Sequence, residues 1–195
     1  EMGSAVGALH EAEGVRLRCD VHVDRLHDDG VLLAGDELIR SDVVVVGIGV
    51  APSTDWLDGS GLKLRDGVVC DETLNAHDAD GVAVDGVYAA GDVLRWRNPL
   101  FGEEMRVEHW TNAAEQGAAA ARNMIATSRG DPAEPYAPVP FFWSDQFDSR
   151  IQFVGSAHGD DQVHVFAGST EGAFAALYGH DDRLRGVLGV SMPRM

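Results

Sequence analysis

The stretch Gly86-Val87-Tyr88-Ala89-Ala90-Gly91-Asp92-Val93 decides how the rest of the chain is read. Val87 and Tyr88 have strand character, Ala89 and Ala90 permit close packing, and Gly91 lets the backbone pass near a ligand before Asp92 presents its carboxylate. The segment reads as the end of a buried strand that holds up one acid. An ionised carboxylate only accepts hydrogen bonds, so a polyol hydroxyl or a row of backbone N–H groups would satisfy it. A second reading makes Gly91-Asp92 a turn in which Asp92 caps a helix. These eight residues alone leave both readings open.

Two later stretches bear on the choice: Arg-Val-Glu-His-Trp-Thr-Asn-Ala-Ala-Glu-Gln-Gly at residues 106–117, and Phe-Phe-Trp-Ser-Asp-Gln-Phe-Asp-Ser-Arg-Ile-Gln-Phe-Val-Gly at residues 141–155. With these three stretches at this spacing, the chain resembles FAD-dependent pyridine-nucleotide oxidoreductases. Within them it is similar to the ferredoxin and rubredoxin reductases that serve cytochromes P450 and ring-hydroxylating dioxygenases. The likeness covers nearly the whole chain but only the second half of such an enzyme. It implies an α/β class, part of a Rossmann-like FAD/NAD(P)-binding fold followed by a small α+β C-terminal reductase domain. On that resemblance residues 1–46 end the NAD-binding domain and residues 47–130 are the C-terminal part of the FAD-binding domain. Residues 131–140 form a proline-rich linker, and residues 141–195 an α+β domain truncated before the helix that the family adds.

Composition is compatible with this. The chain has 195 residues, 45% of them hydrophobic, and 23 glycines, which suits an α/β protein better than a disordered or fibrous one. A formal charge of −17 argues against nonspecific attraction to nucleic acid or an anionic membrane. No apolar run approaches the roughly 20 residues of a membrane span and no basic region precedes an apolar one at the start, so a cytoplasmic location is expected. Cys19 and Cys70 form no C-x-x-C pair, so no redox disulfide relay is visible and two buried thiols are expected. His22 and His27 have no ligand spacing, and no metal site is expected.

Along the chain, apolar periodicity predicts a helix from Met2 to about Gly14, strands at residues 15–17 and 21–26, and a turn at Asp28-Asp29-Gly30. The β-branched run at residues 43–46 predicts a strand buried on both faces, with Gly47 and Gly49 at its exit. Trp56 and Leu57 are expected in the core, and Asp66-Gly67 marks a turn. Asn112 with Glu115 predicts a helix start, with Ala114, Ala118, Ala121 and Ile125 on the packing face of a helix reaching about Thr127. Prolines 132, 135, 138 and 140 make a stiff connector, and five strands follow.

The resemblance implies roles for particular residues. Gly91 and Asp92 would hold the ribitol of FAD, and Gly47 and Gly49 would pass near the nicotinamide of NAD(P)H. Glu108, His109, Trp110 and Thr111 would lie beneath the flavin ring. The helix start there favours the negative charge that a reduced flavin carries around N1. Trp143 would cover the ring edge near the docking surface of the iron–sulfur partner. Without the resemblance, Gly47 and Gly49 are a core-strand exit, Trp110 and Trp143 are core residues and His109 is a surface one. Arg95, Arg97 and Arg106 form a basic patch suited to an acidic partner, or else pair with Glu103, Glu104 and Glu108.

The expected function is that of the C-terminal portion of a flavoprotein reductase passing electrons from NAD(P)H through FAD to a ferredoxin or rubredoxin. No protein nucleophile is required, because the cofactor carries the chemistry. The sequence contains no G-x-G-x-x-G unit for either dinucleotide, so the chain is expected to be a fragment that needs the N-terminal half of the reductase. A noncatalytic interaction module that retains the scaffold is the competing expectation.

Overall fold

The computed structural model describes residues 2–192, so the expectations touching Glu1 and residues 193–195 lie outside the described residues. The chain divides into two compact units, Glu1–Val50 and Ala51–Met195.

The first unit holds helix α1 (Met2–Ala12) and the antiparallel meander β1 (Val23–His27), β2 (Gly30–Leu33) and β3 (Glu37–Arg40). The Asp28-Asp29 turn falls where the sequence places it, between His27 and its ladder partner Gly30. Two strand expectations are corrected. Residues 15–17 join no ladder; they leave α1 through a helix-ending turn in which the Val15 N–H donates to the His10 carbonyl. Residues 43–46 belong to no strand and pair with none, with Val45 89% exposed. A strand buried on both faces needs neighbours on both edges, and the only sheet of this unit among the described residues is the meander. Cys19 is exposed, against the expectation of two buried thiols, whereas Cys70 is buried and its thiol is pushed up to about 12 by desolvation.

The second unit contains two five-stranded sheets. The first runs β6 (Ala83–Tyr88), β5 (Asn75–His77), β4 (Val68–Cys70), β7 (Leu94–Asn98) and β8 (Glu103–Met105), with β4 and β7 parallel and the other pairs antiparallel. Alternation along β7 points Leu94, Trp96 and Asn98 inward and Arg95 and Arg97 outward. Trp96 and Leu94, both fully buried, centre a core shared with Val68, Leu74, Ala76, Ala119 and Ala120. The strand that leads to Asp92 is β6, and it is a half-exposed edge strand rather than the buried one expected. Trp56 is 78% exposed, correcting its assignment to the core: a short 3-10 turn directs Leu57 inward while the Trp56 indole donates to the Ser53 carbonyl.

Helix α2 spans Trp110–Ser128 and ends on Gly130, whose positive φ of 79° allows its N–H and that of Asp131 to reach the Thr127 and Ala126 carbonyls. Two details depart from expectation. The N-cap is His109, not Asn112, because the Asn112 amide turns back to donate to the Val107 carbonyl and accepts from the Tyr136 hydroxyl. The buried face is also the opposite one. Asn112, Gln116, Ala119, Ala120 and Asn123 face the protein, and Ala114, Ala118, Ala121 and Ile125 face outward. The reason is hydrogen bonding: Asn123 donates to the Thr73 and Glu134 carbonyls and accepts from the Glu134 N–H. Polar side chains thus serve backbone groups that would otherwise be buried unpaired.

The proline-rich segment is strapped across this sheet. The Tyr136 N–H donates to the Glu72 carbonyl, the Trp96 indole to the Tyr136 carbonyl, and the Asn98 amide to the Pro138 carbonyl. Beyond it, β9 (Phe141–Gln146), β10 (Ser149–Gly155), β11 (Gln162–Gly168), β12 (Phe174–His180) and β13 (Arg183–Val190) form an antiparallel sheet ordered β11-β12-β13-β10-β9. Residues 141–192 are strands and turns without a helix, so the helical part of the expected α+β domain is not represented among the described residues. Glu103 on β8 ties the two sheets together, accepting hydrogen bonds from Ser156, His158 and Arg185. Burial opposes its charge, but these bonds outweigh it and hold the carboxyl below its ordinary value. The strap and Glu103 together fix β9 relative to α2.

Candidate functional site

Between the start of α2 and β9 lies an open concavity of about 460 Å³, lined by Glu108, His109, Trp110, Thr111, Phe141, Phe142 and Trp143. Five residues singled out from the sequence, separated by up to 35 positions, therefore meet in one place. The walls are aromatic. The Phe141 and Trp143 rings stack 5.7 Å apart, Phe142 lies 5.2 Å from the His109 ring, and Trp110 is 95% exposed at the rim.

The polar groups are at the helix start. No side chain caps α2, so its first N–H groups face outward with the positive end of the helix dipole. His109 Nδ1 and, about two turns further along, Gln116 Nε2 are buried without a hydrogen-bond partner. Burial pulls the His109 imidazole below its ordinary value despite the opposing charges of Asp92 and Glu108. It is therefore neutral near pH 7, with one nitrogen free to accept.

Gly91 and Asp92 form a 3-10 turn against the same helix. The Gly91 N–H donates to Gln116 Oε1 at 2.8 Å, and its φ of 79° lies in the left-handed region, although a Cβ there would meet Ala113 at an ordinary contact distance of 3.6 Å. The left-handed backbone, rather than a lack of space, is thus why glycine stands there. Asp92 does not line the concavity and is exposed; its carbonyl accepts from Arg106, while no hydrogen bond to its carboxylate occurs among the described residues. Its charge nevertheless reaches His109. Gly47 and Gly49 belong to the first unit, in an exposed segment outside its strands, with open space where a Cβ would be.

The basic patch resolves into different parts. Arg106 bonds Asp66, Glu108 and the Asp92 carbonyl, bracing the helix start and the Gly91 turn together. Arg95 pairs with the same Asp66, whose carboxyl is held below its ordinary value by Arg106 and then Arg95. Arg95 is therefore largely committed within the fold, whereas Arg97 is exposed and forms no ion pair among the described residues. Sequence reasoning missed Phe142, Gln116 and Asp66. Phe142 sits beside the tryptophan that was singled out; the other two act across 25 to 40 positions and carry no local signal.

The His109 environment predicts a pH dependence. In the unfolded chain the imidazole titrates near about 6.5, and the fold lowers that value. Between the two values the unfolded chain holds more protons, so stability rises with pH across that window and is lost on acidification through it. His109→Phe is expected to flatten this part of the urea-midpoint profile between about pH 5 and about pH 7.5. An unchanged slope in the variant would count against the buried neutral imidazole.

Residues 1–117 match the family described as pyridine nucleotide-disulphide oxidoreductase, and residues 141–195 match the family described as reductase C-terminal. Rhodocoxin reductase of Rhodococcus erythropolis is 32% identical over 99% of this chain and 44% of its own length. Among solved structures, the ferredoxin reductase for the CYP199A2 system of Rhodopseudomonas palustris superposes with a TM-score of 0.83 at 31% identity, covering 96% of this chain and 45% of that one. The reductase in a covalent putidaredoxin reductase–putidaredoxin complex gives a TM-score of 0.80 at 28% identity, covering 97% of this chain and 45% of that one. The chain thus spans less than half the length of these relatives.

Proposed function

Because the chain belongs to the pyridine nucleotide-disulphide oxidoreductase family, we propose that it is the C-terminal portion of a flavoprotein reductase. In this reading the assembled protein passes electrons from NAD(P)H through FAD to a ferredoxin or rubredoxin that serves a P450 or ring-hydroxylating oxygenase. The observation that carries the reading is the aromatic concavity at the start of α2, which His109 helps to line. A planar aromatic ring with a polar edge matches that combination of stacking surface and uncapped helix N–H groups.

The chemistry supplied by a bound flavin is acceptance of a hydride and delivery of single electrons. The chain's own residues place and shield it. Trp110 and the first turn of α2 lie under the ring and favour negative charge on its edge. Phe142 and Trp143 exclude water. Asp92 accepts from the ribitol hydroxyls, and Gly91 allows that approach. Gly47 and Gly49 pass near the nicotinamide. Arg97 and Trp143 are the contacts offered to an acidic partner, a role in which Arg95 is limited by its pairing with Asp66.

An N-terminal half of the kind the longer relatives have would hold the FAD pyrophosphate and cover two uncovered apolar surfaces. These are the exposed run at residues 43–46 in the first unit and the outward alanine face of α2 in the second. The 195-residue chain alone is therefore expected to bind FAD weakly or not at all. Adding a relative's N-terminal half is expected to restore FAD-dependent NADH oxidation. Submicromolar FAD binding by the chain alone would contradict the fragment reading. A folded chain that no N-terminal half complements would favour the noncatalytic module instead.

A further inference from the structure

Away from the concavity, at the far end of the third sheet, three side chains converge from two turns. Asp160 and Asp161 sit in the turn before β11, and His180 is the last residue of β12. The Asp181-Asp182 turn that follows has φ of 47° and 59°, the left-handed pair that closes a tight hairpin onto β13. His180 Nδ1 lies 3.5 Å from Asp161 Oδ1 and 3.9 Å from Asp160 Oδ2, and one ligand atom from each residue falls within 4.8 Å of the others.

Asp161 is the telling member. Its side chain is only 1% exposed although its backbone reaches solvent, and Oδ2 is fixed by the His158 N–H at 2.8 Å. That bond aims Oδ1 at His180, where it has no hydrogen-bond partner. A buried carboxylate oxygen without a partner is costly. The 3.5 Å separation is too long for a hydrogen bond from the imidazole. It falls within the ligand–ligand edge of about 3.3–3.6 Å that metal–ligand distances of about 2.0–2.2 Å give in a tetrahedral site. The other ring nitrogen, Nε2, faces Asp181 Oδ2 at 3.8 Å, the side on which a carboxylate orients a ligating histidine. Arg183, paired with His180 across the hairpin, makes no ion pair with these acids among the described residues.

We propose that Asp160, Asp161 and His180 form a binding site for a divalent cation of the Zn2+ class, with water completing the shell. Two carboxylate oxygens and one imidazole suit a borderline metal better than calcium or magnesium, which prefer all-oxygen shells. The 74% exposure of the Asp160 side chain leaves an entry path. Bound metal would staple the β10–β11 turn to the β12–β13 hairpin. The site is independent of the flavin reading, since none of its residues lines the aromatic concavity.

The test is a Zn2+ titration of the full chain in a Cys19→Ser background, so that the exposed thiol does not compete, followed by long-range proton–nitrogen spectra of the imidazoles. One ring is expected to shift at Nδ1 and to saturate at one equivalent, and that ring should be missing from the spectrum of His180→Gln. His180→Gln and the exposed Asp160→Asn are each expected to weaken Zn2+ by about tenfold or more against a chromophoric chelator. Asp161→Asn is the less safe variant because its carboxylate also holds the turn. No uptake at millimolar zinc, equal affinity in the His180→Gln chain, or a ring that responds to pH but not to zinc would each overturn the proposal.

Discussion

Trp96→Ala is expected to cost about 3–5 kcal/mol of stability, read as a fall in the urea midpoint at unchanged slope. Trp96 is fully buried on β7, packs 5.8 Å from the Tyr136 ring, and gives its indole N–H to the Tyr136 carbonyl. Alanine would leave a cavity the size of an indole and strand that carbonyl. Against the 5–15 kcal/mol available to a typical domain, the loss is large. Trp96→Phe separates the two contributions: it keeps most of the volume and loses the hydrogen bond, for a smaller cost of about 1–3 kcal/mol. The effect reaches the candidate site because the strap that Trp96 and Asn98 hold leads into β9, the strand carrying Phe141, Phe142 and Trp143. A loss under about 1 kcal/mol for the alanine variant would mean that the strap is not anchored through this core.

What could be read from the sequence was local. The turns at Asp28-Asp29 and Asp66-Gly67 and the five strands after residue 140 appear where glycine and aspartate punctuation puts them. The mixed α/β class follows from the same signals, and Glu108 to Trp110 stay together at the site because they are neighbours in sequence. What could not be read depends on partners far along the chain. Apolar periodicity picks out the alanine face of α2 as its buried side, but it cannot register that Asn123 serves carbonyls at positions 73 and 134, or that Gln116 holds Gly91. Those bonds orient the helix, and burying three polar side chains becomes favourable once each has its backbone partner. Residues 43–46 fail for a related reason. Their composition asks for burial on both faces, and composition does not supply the neighbouring strands. The convergence of Asp160, Asp161 and His180 had no signal at all, since it exists only once β12 returns beside the β10–β11 turn.

The reversed helix supplies the sharpest functional test of the fragment reading. Ala114, Ala118, Ala121 and Ile125 form an exposed apolar stripe at helical spacing on a helix whose other face is fully engaged. If an N-terminal half docks on that stripe, Ala121→Arg should have opposite consequences in the two states of the protein. In the isolated chain the position is exposed and arginine is a good helix former, so stability should change by no more than about 0.5 kcal/mol. In the assembled reductase the same guanidinium would be buried against apolar surface without a partner, at a cost of about 3–5 kcal/mol. That corresponds to association weakened by at least about a hundredfold, seen as lost complementation of NADH oxidation at concentrations where the parent chain is saturated. Arg122→Ala, one residue away on the exposed surface but off the stripe, serves as the control and should complement normally. If Ala121→Arg complements as well as the parent, the alanine face is ordinary surface and the N-terminal half must dock elsewhere. If it unfolds the isolated chain, the face is already covered, and the helix orientation described above is the part that fails.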